Sequence, residues 1–202
     1  MRCGFCQNPD LILKKDLPTL DEDKIIEFMN SRKDWIDGVC VTGGEPLIHD
    51  GLPRLLKKFK DNEFLVKLDT NGLNPKLLKK IIDKKLVDYI AMDIKTDREN
   101  YSKACNVKVD IKKIEESVRL IMESGLEYEF RSTIFPDYFN EGIVRNIGNW
   151  LKGAKKFYIQ QFRNTMPLLN KEFMKREPYS GEVLEKFRKI LKGYIKGVEI
   201  RP

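Results

Sequence analysis

Two rhythms of apolar residues alternate along the chain. Thr19-Leu20-Asp21-Glu22 reads as a capping box, and Ile25, Ile26, Phe28 and Met29 behind it fall at helical spacing, predicting a helix to about Arg32. Val39-Cys40-Val41-Thr42 is then a short apolar run ending at two glycines, the pattern of a buried strand. From there the units repeat. Helices are predicted near Leu52–Lys60, Pro75–Lys84, Ile111–Ser124, Glu141–Lys152 and Glu182–Tyr194, with strands at Phe64–Asp69, Asp88–Lys95, Glu127–Phe135 and Lys156–Phe162.

Strands that alternate with helices of this length call for right-handed crossovers and a parallel sheet, so the predicted class is α/β. Polar residues gather where each strand ends: Thr42 to Glu45, Asp69 to Asn71, Asp93 to Lys95, Arg131 to Thr133, and Gln160 to Arg163. A doubly wound sheet concentrates its chemistry at one switch point, whereas a barrel uses the whole rim. Polar ends on every strand favour the barrel-like arrangement. The long segment from Asn164 to Ser180, with Met166, Pro167 and Pro178, is expected to run over the barrel mouth, a plain surface connection being the alternative.

At 202 residues the chain suits one domain spanning 1–202. Its 41% hydrophobic and 34% charged residues are those of a soluble globular protein, with no apolar run of bilayer-crossing length and no leader pattern; a cytoplasmic location is expected. The net charge of +7 is spread over interleaved pairs such as Lys57-Lys58 near Asp61 and Lys112-Lys113 near Glu115-Glu116. That distribution describes solvated helix faces, or a face for an acidic protein partner, more than a nucleic-acid footprint.

The four cysteines, Cys3, Cys6, Cys40 and Cys105, do not make a secreted disulfide framework. Cys40 is expected to be a small buried strand residue and Cys105 an incidental surface thiol. Cys3 and Cys6, at C-x2-C spacing, suit a metal cluster, a zinc site or a dithiol alike. Gly43-Gly44-Glu45-Pro46 directly follows a strand: two glycines admit a ligand close to the backbone and Glu45 can accept from a cationic amine, although a tight strand-to-helix turn has the same composition. Asp93 and Lys95 lie two apart and point to one side, and Arg131 on the next strand adds a cation. Such a set suits a ligand with amino and carboxylate groups, or an internal ion pair closing the core.

Taken in order, Arg2-Cys3-Gly4-Phe5-Cys6-Gln7-Asn8-Pro9, Thr42 to Pro46, Asp69 to Gly72, Met92-Asp93-Ile94-Lys95, Arg131 to Pro136 and Ile159 to Arg163 resemble the radical S-adenosylmethionine superfamily. The likeness is to the glycyl-radical activating enzymes, nearest the activating proteins of anaerobic ribonucleoside-triphosphate reductase, with pyruvate formate-lyase activating enzyme a relative. The resemblance implies a partial (β/α)6 TIM-like barrel. It implies a [4Fe-4S] cluster with Cys3 and Cys6 each on one iron, and S-adenosylmethionine on the open iron. Gly43, Gly44 and Glu45 would meet its methionyl amine, Asp93 and Lys95 would contact it, and Phe5 would lie near the adenine. Thr70, Asn71 and Arg131 complete the cofactor-binding set expected on the rim. By the same resemblance a low-potential donor such as flavodoxin or ferredoxin supplies an electron, a 5′-deoxyadenosyl radical forms, and a glycyl-radical enzyme is the protein substrate.

Two departures qualify the likeness. The family's cradle is C-x3-C-x2-C, so its first cysteine would fall four residues ahead of Cys3, and the barrel's first strand ahead of Met1; Met1 is accordingly expected to be an internal methionine. Where pyruvate formate-lyase activating enzyme carries a histidine, this chain has Gln160-Gln161-Phe162-Arg163. The alternatives are a radical enzyme acting on a nucleoside or tRNA base, and a degenerate zinc or interaction module built on Cys3 and Cys6.

Overall fold

A computed structural model describes every residue except Lys15, Met166 and Pro202, so Met166 of the long loop lies outside the described residues. Six parallel strands form one sheet in chain order: β1 (Gly38–Val41), β2 (Leu65–Thr70), β3 (Tyr89–Asp93), β4 (Glu127–Ile134), β5 (Lys156–Gln161) and β6 (Gly197–Arg201). Helices α1 (Asp10–Leu13) and α2 (Glu22–Asn30) precede β1. The crossovers carry α3 (Leu52–Asp61), α4 (Pro75–Asp83), α5 (Tyr101–Cys105), α6 (Ile111–Glu123), α7 (Glu141–Trp150) and α8 (Gly181–Leu191). Because the strand order never reverses, there is no switch point, and the sheet is the wall of a partial TIM-like barrel.

The burial of alternate residues follows from the pleat. On β2, Val66, Leu68 and Thr70 are buried while Lys67 and Asp69 are half-buried; on β4, Phe130, Ser132 and Ile134 are buried while Arg131 and Thr133 are not. The buried set packs under amphipathic helices such as α4, which contributes Leu78 and Ile81, and α6, which contributes Ile114, Val118 and Ile121. Each such side chain contributes about 1.5–3 kcal/mol on leaving water. The other face of the same strands stays open and polar.

Each predicted strand and long helix is present, with small shifts at the ends. Differences lie in short elements. The N-cap of α2 is Asp21, whose carboxylate accepts from Asp23 N at 2.8 Å and Lys24 N at 3.3 Å, and not Thr19 of the expected capping box. An aspartate directly ahead of the first turn also meets the helix dipole, which a threonine two residues earlier does not. Strand β6 and helices α1 and α5 are additions to the predicted set. Among the described residues no helix is long and apolar enough to cross a membrane.

Candidate functional site at the barrel mouth

The N-terminal turn is tied down from three sides. Cys6 N donates to Cys3 O at 3.0 Å, closing the turn on itself. Leu169 N donates to Cys6 O at 3.0 Å and Asn170 N to Gly4 O at 2.8 Å, so these two residues of the long loop clasp the turn at the mouth. Arg2 N donates to Cys105 O at 3.0 Å. Phe5 is buried and stacks on Phe135 at 5.5 Å, and Phe135 stacks on Phe173 at 4.5 Å. Gly4 is required there, because a Cβ would stand 2.6 Å from Phe173 Cε2.

After β1 the chain enters Gly43 with φ of 142°, a conformation that favours glycine. A Cβ added at Gly43 or Gly44 would meet nothing within 4 Å, so both backbones border open space. Glu45 turns inward and is buried. Its carboxylate accepts from Thr70 Oγ1 at 2.7 Å, Asn71 N at 2.7 Å and Leu47 N at 3.2 Å. Burial pushes the Glu45 carboxyl up, and these three bonds oppose that shift. The side chain thus clamps the end of β1 to the end of β2. Three of its roughly four lone-pair positions are taken by protein, which leaves one for the cationic amine expected there.

Asp93 and Lys95 do share a side, and Lys95 Nζ reaches Asp93 Oδ2 at 2.8 Å. Arg131 bonds Asp93 through Nε and Asp69 through Nη2, the latter at 3.0 Å, and Lys67 pairs with Asp69. The result is an alternating chain of charge, Lys67, Asp69, Arg131, Asp93, Lys95, running across β2, β4 and β3. The internal ion pair and the polar mouth therefore coexist. Burial favours a neutral Asp93, yet Lys95 and Arg131 outweigh it and hold the carboxyl below its ordinary value; Lys95, against its own burial, is held above its ordinary value by Asp93.

These groups surround one cavity of about 480 Å³, within the range of small-molecule sites. Its lining includes Cys3, Phe5, Cys6, Gly43, Gly44, Glu45, Thr70, Asn71, Asp93, Lys95 and Arg131, which is the whole set expected from the sequence. It also includes Leu11 and Ile12 of α1, together with Thr133 and Gln160. Leu11 and Ile12 sit in a four-residue helix too short to show periodicity. Thr133 and Gln160 are signalled only as polar strand ends. Among the described residues no group of three or more His, Cys, Asp or Glu side chains is placed to hold a metal ion. Cys3 and Cys6 thus bring two thiols to the mouth, one fewer than the three-cysteine cradle expected from the resemblance.

The other two thiols exchange their expected places. Cys40 is exposed, because β1 is the sheet's edge strand and this residue is on the open face, where Lys67 Nζ lies 3.7 Å from its sulfur. Cys105 is buried at the end of α5 and donates to Met1 Sδ at 3.5 Å. The neighbouring Cys105 thiol, with Lys95, lowers the Cys3 thiol, while Cys3 and burial raise Cys105 against the opposing pull of Lys95.

A one-directional parallel sheet with its charged side chains around a single rim cavity is the architecture of a TIM-like barrel enzyme. Residues 1–147 match the profile of the Radical SAM superfamily, and the chain belongs to that superfamily. It is 28% identical over 208 residues to a Methanocaldococcus jannaschii protein provisionally named a glycyl-radical enzyme activating enzyme, covering 100% of this chain and 84% of the relative. A second protein of that organism and provisional name is 30% identical over 158 residues, covering 74% of this chain and 59% of the relative. Among solved structures, a domain of pyruvate-formate lyase-activating enzyme from Bacteroides vulgatus superposes with a TM-score of 0.63 at 20% identity, covering 82% of this chain and 99% of that one. Streptococcus suis SuiB bound to S-adenosylmethionine gives 0.77 at 14% identity, covering 100% of this chain and 47% of SuiB. At these identities the structures show a shared fold.

Proposed function

We propose that this protein is a radical S-adenosylmethionine enzyme that installs a glycyl radical on a partner enzyme, with anaerobic ribonucleotide reductase as the model for such a partner. The observation that carries the reading is the convergence of eleven expected residues, from five separate chain segments, on one cavity. The names given to the two Methanocaldococcus relatives support the class of substrate.

The electrostatics suit a zwitterionic amino-acid moiety. Lys67, Lys95 and Arg131 set three cations against Asp69 and Asp93, leaving one positive charge in the network, while Glu45 adds a carboxylate with one free position. A carboxylate is drawn to Lys95 and Arg131, and an ammonium to Glu45 beside the bare backbones of Gly43 and Gly44. Phe5, locked in its aromatic stack, gives an apolar wall for a planar base. Cys3 and Cys6 are the two sulfur ligands this chain brings to the cluster. The cofactor supplies the hydrogen-abstracting chemistry, and the protein supplies placement and exclusion of water.

The open inner face bears on the protein substrate. Lys67, Tyr89, Tyr158 and Gln160 on β2, β3 and β5 are only half-buried, so a polypeptide segment has a polar trough by which to reach the mouth. The test has two stages. Calorimetric titration should show S-adenosylmethionine binding that weakens at least tenfold in Arg131→Met; no binding to the wild type overturns the cofactor. With iron, sulfide and dithionite supplied without oxygen, a co-expressed glycyl-radical enzyme should develop a carbon-centred electron paramagnetic resonance doublet. Cleavage of S-adenosylmethionine with no such signal overturns the partner class.

A further inference from the structure

Strand β3 delivers two charged side chains to the mouth, and its backbone leaves the sheet between them. Ile94 N still donates to Arg131 O at 2.8 Å, and Ser132 Oγ donates to Ile94 O at 2.5 Å, so this residue stays joined to β4. Lys95 lies past the end of the strand, and among the described residues no backbone carbonyl accepts from its amide. Its partner is a side chain. Lys95 N donates to Tyr101 Oη at 3.4 Å, and Tyr101 Oη in turn donates to Asp93 O at 3.2 Å. One hydroxyl, donor and acceptor at once, brackets the two residues whose side chains pair at 2.8 Å.

The ring behind that hydroxyl has little freedom. Tyr101 is fully buried, and its ring meets Trp150 edge to face with centroids 6.2 Å apart. It opens α5, a helix of five residues, too short to hold itself together in water. That helix is anchored at both ends: Tyr101 takes the exit of β3, and Cys105 O accepts at 3.0 Å from the amide of Arg2, the residue ahead of Cys3. It therefore touches both the strand that bears Asp93 and the turn that bears the mouth thiols.

We infer that Tyr101 is a positioning residue: its hydroxyl fixes the backbone where β3 ends, so that Asp93 and Lys95 face the mouth together and meet the amino-acid end of S-adenosylmethionine as one unit. Without the hydroxyl a carbonyl and an amide lose their partner, and the peptide groups on either side of Ile94 are free to turn. Residues two apart share a side only while the backbone between them stays extended. The pair then loses its common aim, and misdirected charges hold a zwitterion less well. The plain alternative is a ring that fills the core and a hydroxyl that is incidental. Phenylalanine separates the two, because it keeps the ring and its contact with Trp150. The ligand rests on the function proposed above, but the backbone bracket does not.

The experiment compares the full chain with Tyr101→Phe, both metal-free, by amide hydrogen exchange and by calorimetric titration with S-adenosylmethionine and with 5′-methylthioadenosine, which lacks the amino-acid end. In the wild type the Lys95 amide should be protected although it belongs to no strand. In Tyr101→Phe it should exchange about tenfold faster, while the Ile94 amide, held by Arg131 O, keeps its rate. Affinity for S-adenosylmethionine should fall about fivefold, and affinity for 5′-methylthioadenosine should stay within about twofold. An unprotected Lys95 amide in the wild type, or an unchanged one in the variant, overturns the inference. So does equal acceleration of Ile94, or equal weakening of both ligands, which is what a purely structural loss produces. A wild type that binds neither ligand rejects the proposed cofactor, and the two amides then decide the inference alone, so the two failures are told apart.

Discussion

The two faces of the sheet share a backbone and differ in almost everything else. On β4, Phe130 and Arg131 are neighbours in sequence: the first is fully buried under the helices, the second bridges Asp69 and Asp93 at the cavity. Outward residues are mostly Val, Leu, Ile and Phe, tolerant of which apolar shape fills each place. Inward residues are mostly charged or polar and mutually specified, down to Glu129, which is buried because Arg201 grips it at 2.8 and 2.9 Å and Tyr89 donates to it at 2.8 Å. Stability should therefore follow volume on one face and partner count on the other.

The largest effect is expected on the outer face. Phe130→Ala removes a fully buried ring and should cost about 3–5 kcal/mol in urea unfolding. A loss below about 1 kcal/mol would mean that the core beneath β4 collapses around the gap, erasing the contrast between the faces. Affinity for S-adenosylmethionine under folding conditions should hold, because the ring does not reach the cavity.

Asp93→Asn comes next, at about 3 kcal/mol, since it leaves Lys95 without its carboxylate partner and Arg131 with Asp69 alone. The sign with pH is fixed by the shift. A carboxyl whose folded pKa lies below its ordinary 3.8 contributes stability that is fully present above that value and lost as pH falls through the folded pKa. The gap between wild type and Asp93→Asn should be constant near neutrality and close in acid. A gap that widened in acid would refute the ion-pair assignment.

How far these faces can be read from sequence depends on what each residue must match. Long elements with regular periodicity, such as α6 and β4, are legible because the helix or pleat repeats one requirement many times. The mouth is legible for a different reason: Cys3, Gly43 to Glu45 and Asp93 to Lys95 are each tied to chemistry through residue type. Elements with one or two anchors are not legible. Strand β6 buries only Val198, α5 is five residues long, and neither offers a run from which a period emerges. Cys40 and Cys105 misled for the same reason. Whether a lone cysteine is covered depends on which strand is at the edge and where a loop returns, and neither is encoded near the residue itself.

Gly44→Ala tests the mouth without disturbing either face. The added methyl meets no protein atom within 4 Å, so stability should change by no more than about 0.5 kcal/mol. The same methyl enters the cavity, and binding of S-adenosylmethionine should weaken about tenfold, or ~1.4 kcal/mol. Unchanged calorimetric affinity would place the ligand elsewhere in the cavity.

Lys67→Met should have the smallest effect, and it separates partner count from charge count most directly. Lys67 is one end of the ionic chain, and without it Asp69 still holds Arg131, so the expected cost is about 1 kcal/mol or less. If the network responded only to its number of charges, losing Lys67 would match losing Asp93. Cys40 gives an independent reading at the same place. Partial desolvation of the sulfur against the sheet and the Asp69 carboxylate already raise its thiol, and Lys67 offsets part of that shift. Removing the ammonium should raise the thiol further, lower the thiolate fraction, and slow alkylation of Cys40 by iodoacetamide at pH 8. Faster alkylation would mean that the lysine shields the sulfur rather than charging its surroundings, and that the inner face near β1 is organised by packing after all.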